Sequence, residues 1–252
     1  MKRLKLLAFV SLIAMLVLAA FPTGSALAET DAPVTSAVAA SPNPAVSGDT
    51  ITLTATVDDS GTGASNIQSA EYNIDGGSFS AMSAADGAFD TSTENVTASF
   101  AAPAVGDHQV CVHGSDASNN TSADVCITLT VESIYTFGGF KPPIRAGVNQ
   151  AKAGRAVPVK FKLTLTADGS AVSDPAAIDA IMSYEVDCTS LTGDISTAIE
   201  EKSPGNSGLR YQNRGMWIFN WKTDKGYAGT CRNLYILFGD GSISPEATFQ
   251  FK

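Results

Sequence analysis

Two runs of strict alternation, 106 positions apart, limit what this chain can fold into. In the first, Ile51, Leu53, Ala55 and Val57 alternate with Thr50, Thr52, Thr54 and Thr56. In the second, Val157, Val159, Phe161, Leu163 and Leu165 alternate with Pro158, Lys160, Lys162 and Thr164. Successive side chains of a strand point to opposite faces, so each run predicts a strand with one buried and one wet face. Gly48 and Gly154 open the two runs at the same offset. A weak repeat of this kind predicts two similar β-sandwiches in tandem.

Other segments agree. Ala70, Tyr72 and Ile74 lead into the turn Asp75-Gly76-Gly77, and residues 95–100, 108–113 and 124–132 read as further strands. After residue 28 no stretch carries a helical period; residues 174–182 are expected to form one helical turn. The expected fold is all-β: two tandem immunoglobulin-like sandwiches, residues 43–133 and 134–252, behind a cleaved signal peptide. Residues 29–42, rich in Ala, Ser, Thr and Pro, read as a flexible leader. Ser133 to Arg145 reads as a short joint, broken by Gly138, Gly139, Pro142 and Pro143, whose Tyr135, Phe137 and Phe140 pack on the second sandwich. Pro158 has no amide to donate and belongs at an edge or a strand start.

The first residues address the chain for export. Lys2, Arg3 and Lys5 precede an apolar run from Leu6 to Ala20, then Pro22, Gly24 and the small triplet Ala26-Leu27-Ala28. Cleavage is expected after Ala28. The run is about 15 residues, short of the ~20 that a membrane span needs. The mature chain is therefore expected to be soluble and secreted or cell-surface associated, free or non-covalently attached. Four cysteines in an exported chain imply two disulfides. Setting Val110 across from Ile127 and Val112 across from Val125 in an antiparallel pair puts Cys111 across from Cys126, on the solvent side. Cys188 and Cys231 remain as the second pair. The other two connectivities would cross-link the halves over the joint.

Charge divides the chain unevenly. Residues 29–133 hold fourteen Asp and Glu and no Lys or Arg, whereas residues 134–252 hold eleven acidic and thirteen basic residues. Nucleic-acid binding needs Lys and Arg to displace counterions, so no nucleic-acid partner is expected. Acidity of this kind serves solubility. Were a cation held, the turn carrying Asp58 and Asp59 would be the first place for calcium; with no known calcium-loop spacing and Asp an ordinary turn former, no cofactor is expected.

Catalytic sets are missing. His108 and His113, the only histidines, are five apart in one strand and point to opposite faces. His113 falls across from Asp124, a surface contact rather than a dyad. No H-E-x-x-H, G-x-S-x-G or phosphate-binding loop occurs. Trp217, Phe219 and Trp221 share one face of a strand and are expected to form core; exposed, they would make a carbohydrate platform with Tyr211 and Tyr227.

The second half resembles the bacterial PxKF domain. Its name motif stands as Pro158-Val159-Lys160-Phe161, and Trp221-Lys222-Thr223-Asp224 followed by Gly229-Thr230-Cys231-Arg232 resembles the family's most distinctive stretch. The resemblance covers residues 134–252 and implies an exported bacterial module with no assigned catalytic residues, in a family whose members sometimes stand beside hydrolases. The first half is similar to bacterial Ig-like modules in general. The expected function is a non-catalytic structural or binding module whose partner is a protein or polysaccharide at the cell surface. The alternative is a carbohydrate-binding or accessory module of an exported hydrolase system.

Overall fold

A computed structural model of the chain describes residues 30–205 and 208–252; the expected signal peptide lies outside them. The first half forms β1 (Val34–Ser41), β2 (Ala45–Val46), β3 (Thr50–Asp58), β4 (Ile67–Ile74), β5 (Ser80–Ala81), β6 (Ser83–Ala84), β7 (Thr93–Ala101), β8 (Gly106–Asp116) and β9 (Val125–Glu132). The second forms β10 (Tyr135–Lys141), β11 (Asn149–Ala151), β12 (Ala156–Leu165), β13 (Ile178–Val186), β14 (Ile199–Glu200), β15 (Leu209–Asn213), β16 (Met216–Lys222), β17 (Cys231–Phe238) and β18 (Ala247–Phe251).

The two halves repeat one topology strand for strand. Each has a four-stranded sheet, β1-β3-β7-β6 and β10-β12-β16-β15, and a five-stranded sheet, β2-β9-β8-β4-β5 and β11-β18-β17-β13-β14. Each has one short parallel pairing, β2 with β9 and β11 with β18. This is the order of an immunoglobulin sandwich with its first strand split between the sheets. The repeat seen in the two alternating runs is thus a repeat of β3 and β12, which occupy the same place.

Alternation decides which residues meet between the sheets. Ile51, Leu53, Ala55 and Val57 of β3 are buried against Ile67 and Ala70 of β4, Val110 and Val112 of β8, and Leu129 and Val131 of β9. This core is aliphatic, and at Gly114 it is tight: a Cβ there would lie 2.4 Å from Cγ1 of Val57. The second core is aromatic, with Phe161, Trp217, Phe219, Trp221, Phe238, Phe249 and Phe251. Pro158 lies near the start of β12, beyond the reach of β10, whose pairing stops at Lys160. Its missing amide breaks no ladder there.

Two expected segments are corrected. Residues 29–42 are not a leader throughout, because Val34–Ser41 is strand β1, paired antiparallel with β3 from Val34–Asp58 to Ser41–Thr52. The Ser133–Arg145 joint shrinks to Ser133 and Ile134, because Tyr135–Lys141 is strand β10, paired with β12. Tyr135, Phe137 and Phe140 do pack on the second core. Gly138 and Gly139, which read as breakers, form a β-bulge between Phe137 and Phe140, with Gly139 at φ 82°. A bulge keeps a strand paired while absorbing an extra residue in a conformation that glycine adopts without strain. β1 carries a matching register shift between Ser36 and Ala39. The helical turn expected at 174–182 is a 3-10 turn, Pro175–Ala177, capped by Asp174; Ile178 onward is β13.

Candidate functional site

Both disulfides form as expected, and no cysteine is free among the described residues. Cys111 pairs with Cys126 in register, flanked by Val110–Ile127 and Val112–Val125. Cys126 is exposed, but Cys111 is buried, correcting its expected solvent exposure: β8 is an interior strand of its sheet, whereas Cys126 lies on the next strand out. Cys188–Cys231 ties the segment after β13 to the start of β17.

Asp58 and Asp59 both accept hydrogen bonds from the surrounding loop and strand. The Asp59 carboxylate is fully buried and accepts the Gly63 and Ser65 amides and the Thr62 hydroxyl. Asp58 accepts the Ser60 amide at 2.9 Å and the Thr93 hydroxyl at 2.7 Å. The hydrogen bond from Thr93, then those from Ser60, hold its carboxyl below the ordinary range. Both carboxylates therefore act as turn-formers that satisfy loop amides. Asp116 does the same in the loop after β8, accepting the Ser118 and Asn120 amides. Among the described residues no three His, Cys, Asp or Glu side chains group to hold a metal.

The histidines sit apart and bind carboxylates. His108 Nδ1 lies 2.7 Å from Asp75, and its Nε2 2.7 Å from the Ala104 carbonyl oxygen. His113 Nδ1 lies 2.8 Å from Asp124, as the strand register required. The ring of Phe79 stands 4.3 Å from that of His113. Among the described residues neither histidine meets a Ser, Thr or Cys side chain that it could deprotonate.

The motif residues of the second half are mostly framework. Val159, Phe161 and Trp221 are in the core, while Pro158 and Lys160 lie on the outer face. The Thr223 hydroxyl donates to the Arg155 carbonyl oxygen at 2.6 Å, and Asp224 caps the 3-10 turn Lys225–Tyr227. Trp217, Phe219 and Trp221 are 1%, 6% and 0% exposed, so the face they share is core and not a platform. Trp217 Nε1 donates to the Val172 carbonyl oxygen.

Two features escaped the sequence. At one end of the second core, Arg232 donates to the Ser183 hydroxyl at 2.9 Å and lies 4.3 Å from the centre of the Tyr227 ring. Ser183 and Tyr227 in turn donate to Glu201. Burial first, then the Glu201 charge, pushes the Tyr227 phenol up to about 12. All four groups are inward and mutually satisfied, the condition under which a buried polar cluster adds specificity. A cleft of about 500 Å³ also opens where the chain crosses from β10 to β11, lined by Ile144, Val157, Pro158, Arg145, Lys152 and Arg155 among others. Its signal in the sequence is three basic residues, Arg145, Lys152 and Arg155, within eleven positions.

No family model matches the chain, and no curated protein matches it. Similar solved structures include the fibronectin(III)-like modules of CbhA from Clostridium thermocellum, at 13% identity over 85% of this chain and 92% of that one, with a TM-score of 0.28. The titin domains z1z2 match at 12% identity over 88% and 96%, with a TM-score of 0.30. The SrpA adhesin of Streptococcus sanguinis matches at 11% identity over 86% and 93%, with a TM-score of 0.33. The assignment rests on strand order, parallel first-strand pairing and the two separate cores: the chain is a tandem pair of immunoglobulin-like β-sandwiches.

Proposed function

We propose that this chain is an exported, non-catalytic module that works at the cell surface or in the medium by structure and binding. The observation that carries it is one closed disulfide in each half, with no described cysteine left free. Such bonds persist in oxidising compartments and are rare in reducing ones. The resemblance of residues 134–252 to PxKF domains supports the same reading, as does the absence of a histidine–nucleophile pair among the described residues. The two halves divide at Ser133 and act as successive domains. Recognition falls to outer sheet faces and end loops, since the inner faces are spent on the cores.

Expression with the native leader, fractionation and non-reducing peptide mapping test this. The mature chain is expected outside the cytoplasm, starting near Glu29, with Cys111–Cys126 and Cys188–Cys231 linked. Reduced, cytoplasmic protein would overturn the proposal.

A further inference from the structure

The outer face of the second sandwich's four-stranded sheet is basic and contains no carboxylate. Val159, Phe161 and Leu163 point into the core, so Lys160 and Lys162 point out. Lys141 pairs across from Lys160, and Lys222 follows the inward Trp221. Arg210 pairs across from Ile218, which lies between the inward Trp217 and Phe219. β10, β12, β15 and β16 together contain no Asp or Glu. Among the described residues Lys160, Lys162 and Lys222 stand in no ion pair. Pro158, Ile218 and Asn220, half-buried and uncharged, lie on the same outer face among these cations.

The first sandwich carries the complement. In its five-stranded sheet Val110, Val112, Leu129 and Val131 point inward. Glu71, across from His113, and Asp107, across from Thr130, therefore point outward, and Asp124 joins them beside His113. Glu132 follows the inward Val131 on the same face. No Lys or Arg occurs anywhere in residues 29–133.

We propose that copies of this chain associate head to tail, the basic face of one second sandwich docking on the acidic five-stranded face of a neighbour's first sandwich. This deepens the binding-module reading, on which it rests, by naming a surface and a partner. Each face against its own kind would set like charges together, so a two-fold symmetric pairing through either face is opposed. A head-to-tail contact leaves a free face at each end, so it closes into a ring or runs on as a filament. An anionic polymer would satisfy the basic face but would be repelled by the fourteen carboxylates of the first half, whereas a second copy satisfies both. Contacts of this kind weaken as salt shortens the reach of charge.

Sedimentation velocity of the mature chain, residues 29–252, tests this. At ~20 mM NaCl the weight-average mass should rise about twofold or more with concentration, and at ~500 mM it should return to monomer. Lys160→Glu/Lys162→Glu/Lys222→Glu should stay monomeric with an unchanged melting temperature. Glu71→Lys/Asp107→Lys/Asp124→Lys loses the contacts of Asp124 and Glu71 with His113 and of Asp107 with Thr130 and should melt lower, but folded it should also stay monomeric, while a mixture of the two variants should associate again. A mass independent of concentration at low salt, or no rescue in the mixture, overturns the proposal. Retention on heparin–agarose by a chain that stays monomeric overturns self-association but keeps the binding-module reading. Cytoplasmic retention in the fractionation above would instead strike that reading itself.

Discussion

Asp240 accepts the Ser133 hydroxyl at 2.6 Å, joining the residue after the last strand of one sandwich to a turn of the other. The same carboxylate accepts the Ile134 amide at 3.0 Å and the Ser242 amide and hydroxyl. Thr166 completes the grip by donating its hydroxyl to the Ser133 carbonyl oxygen at 2.9 Å. Both residues of the joint are thus fastened to the second sandwich.

Asp240→Ala should therefore loosen the joint more than it destabilises either core. Burial works against the Asp240 charge, but the hydrogen bonds from Ser133, Ser242 and Ile134 outweigh it and hold the carboxyl below the ordinary range. A depressed carboxylate contributes stability above its unfolded value near ~3.9 and loses it as pH falls through the folded value. The expected loss at neutral pH is about 1–2 kcal/mol in the second sandwich, since the group is only half-buried and solvent screens part of its charge. Residual dipolar couplings of the two halves should fit a single alignment tensor in the native chain and two in the variant. One tensor in both would show that Asp240 does not fix the joint.

Trp217 and Trp221 should emit as buried indoles. Native emission is expected to be blue-shifted and barely quenched by iodide. Trp217→Ala removes a large core ring and leaves the Val172 carbonyl oxygen without its indole donor. A cost of about 3–5 kcal/mol is expected. Strong iodide quenching of the native protein would contradict the packing.

Much of this fold was legible because its signals are local. Alternation in Thr50–Asp58 and Ala156–Leu165 is read within nine or ten residues, and the Cys111–Cys126 pair follows from the register of neighbouring strands. β1 and β10 escaped for the opposite reason. β1 is built largely of Ala, Ser and Thr on an edge that buries little, and β10 hides its pairing behind a Gly-Gly bulge. Grips such as Ser133–Asp240, and clusters such as Ser183–Glu201–Arg232, join residues far apart in the chain, so no window of sequence contains them.

The His108–Asp75 contact should make the first sandwich's stability depend on pH with a defined sign. The hydrogen bond with Asp75 raises the His108 imidazole against the opposing effect of burial, and the same bond lowers Asp75. A raised histidine contributes fully below its unfolded value near ~6.5 and loses that contribution as pH rises through the folded value. A lowered aspartate contributes above ~3.9 and loses it as pH falls. The pair therefore helps most between about pH 4 and 6.5. Subtracting the melting curve of Asp75→Asn from that of the native chain should give a difference peaking in that window, which cancels the general effect of the other carboxylates. A difference that grows above pH 7 would mean the histidine is not the charged partner.

Calcium should not stabilise the first sandwich beyond what salt does. The case for a site was fourteen carboxylates with no Lys or Arg, centred on the Asp58-Asp59 turn. Calcium takes six to eight oxygen ligands at about 2.3–2.6 Å. Asp59 spends its carboxylate on Thr62, Gly63 and Ser65, and Asp116 spends its own on Ser118 and Asn120. A cation there would have to displace bonds that already hold both loops closed. Millimolar calcium should therefore shift the melting temperature no more than sodium at matched ionic strength, by screening alone. A ligand that binds only the folded state raises the midpoint with concentration well past that level. A chelator-reversible rise of several degrees, lost in Asp58→Asn, would show a cation site that the turn hydrogen bonds conceal. By contrast, Asp59→Asn should destabilise with or without calcium, because its amide cannot accept the loop's N–H groups on both oxygens' positions.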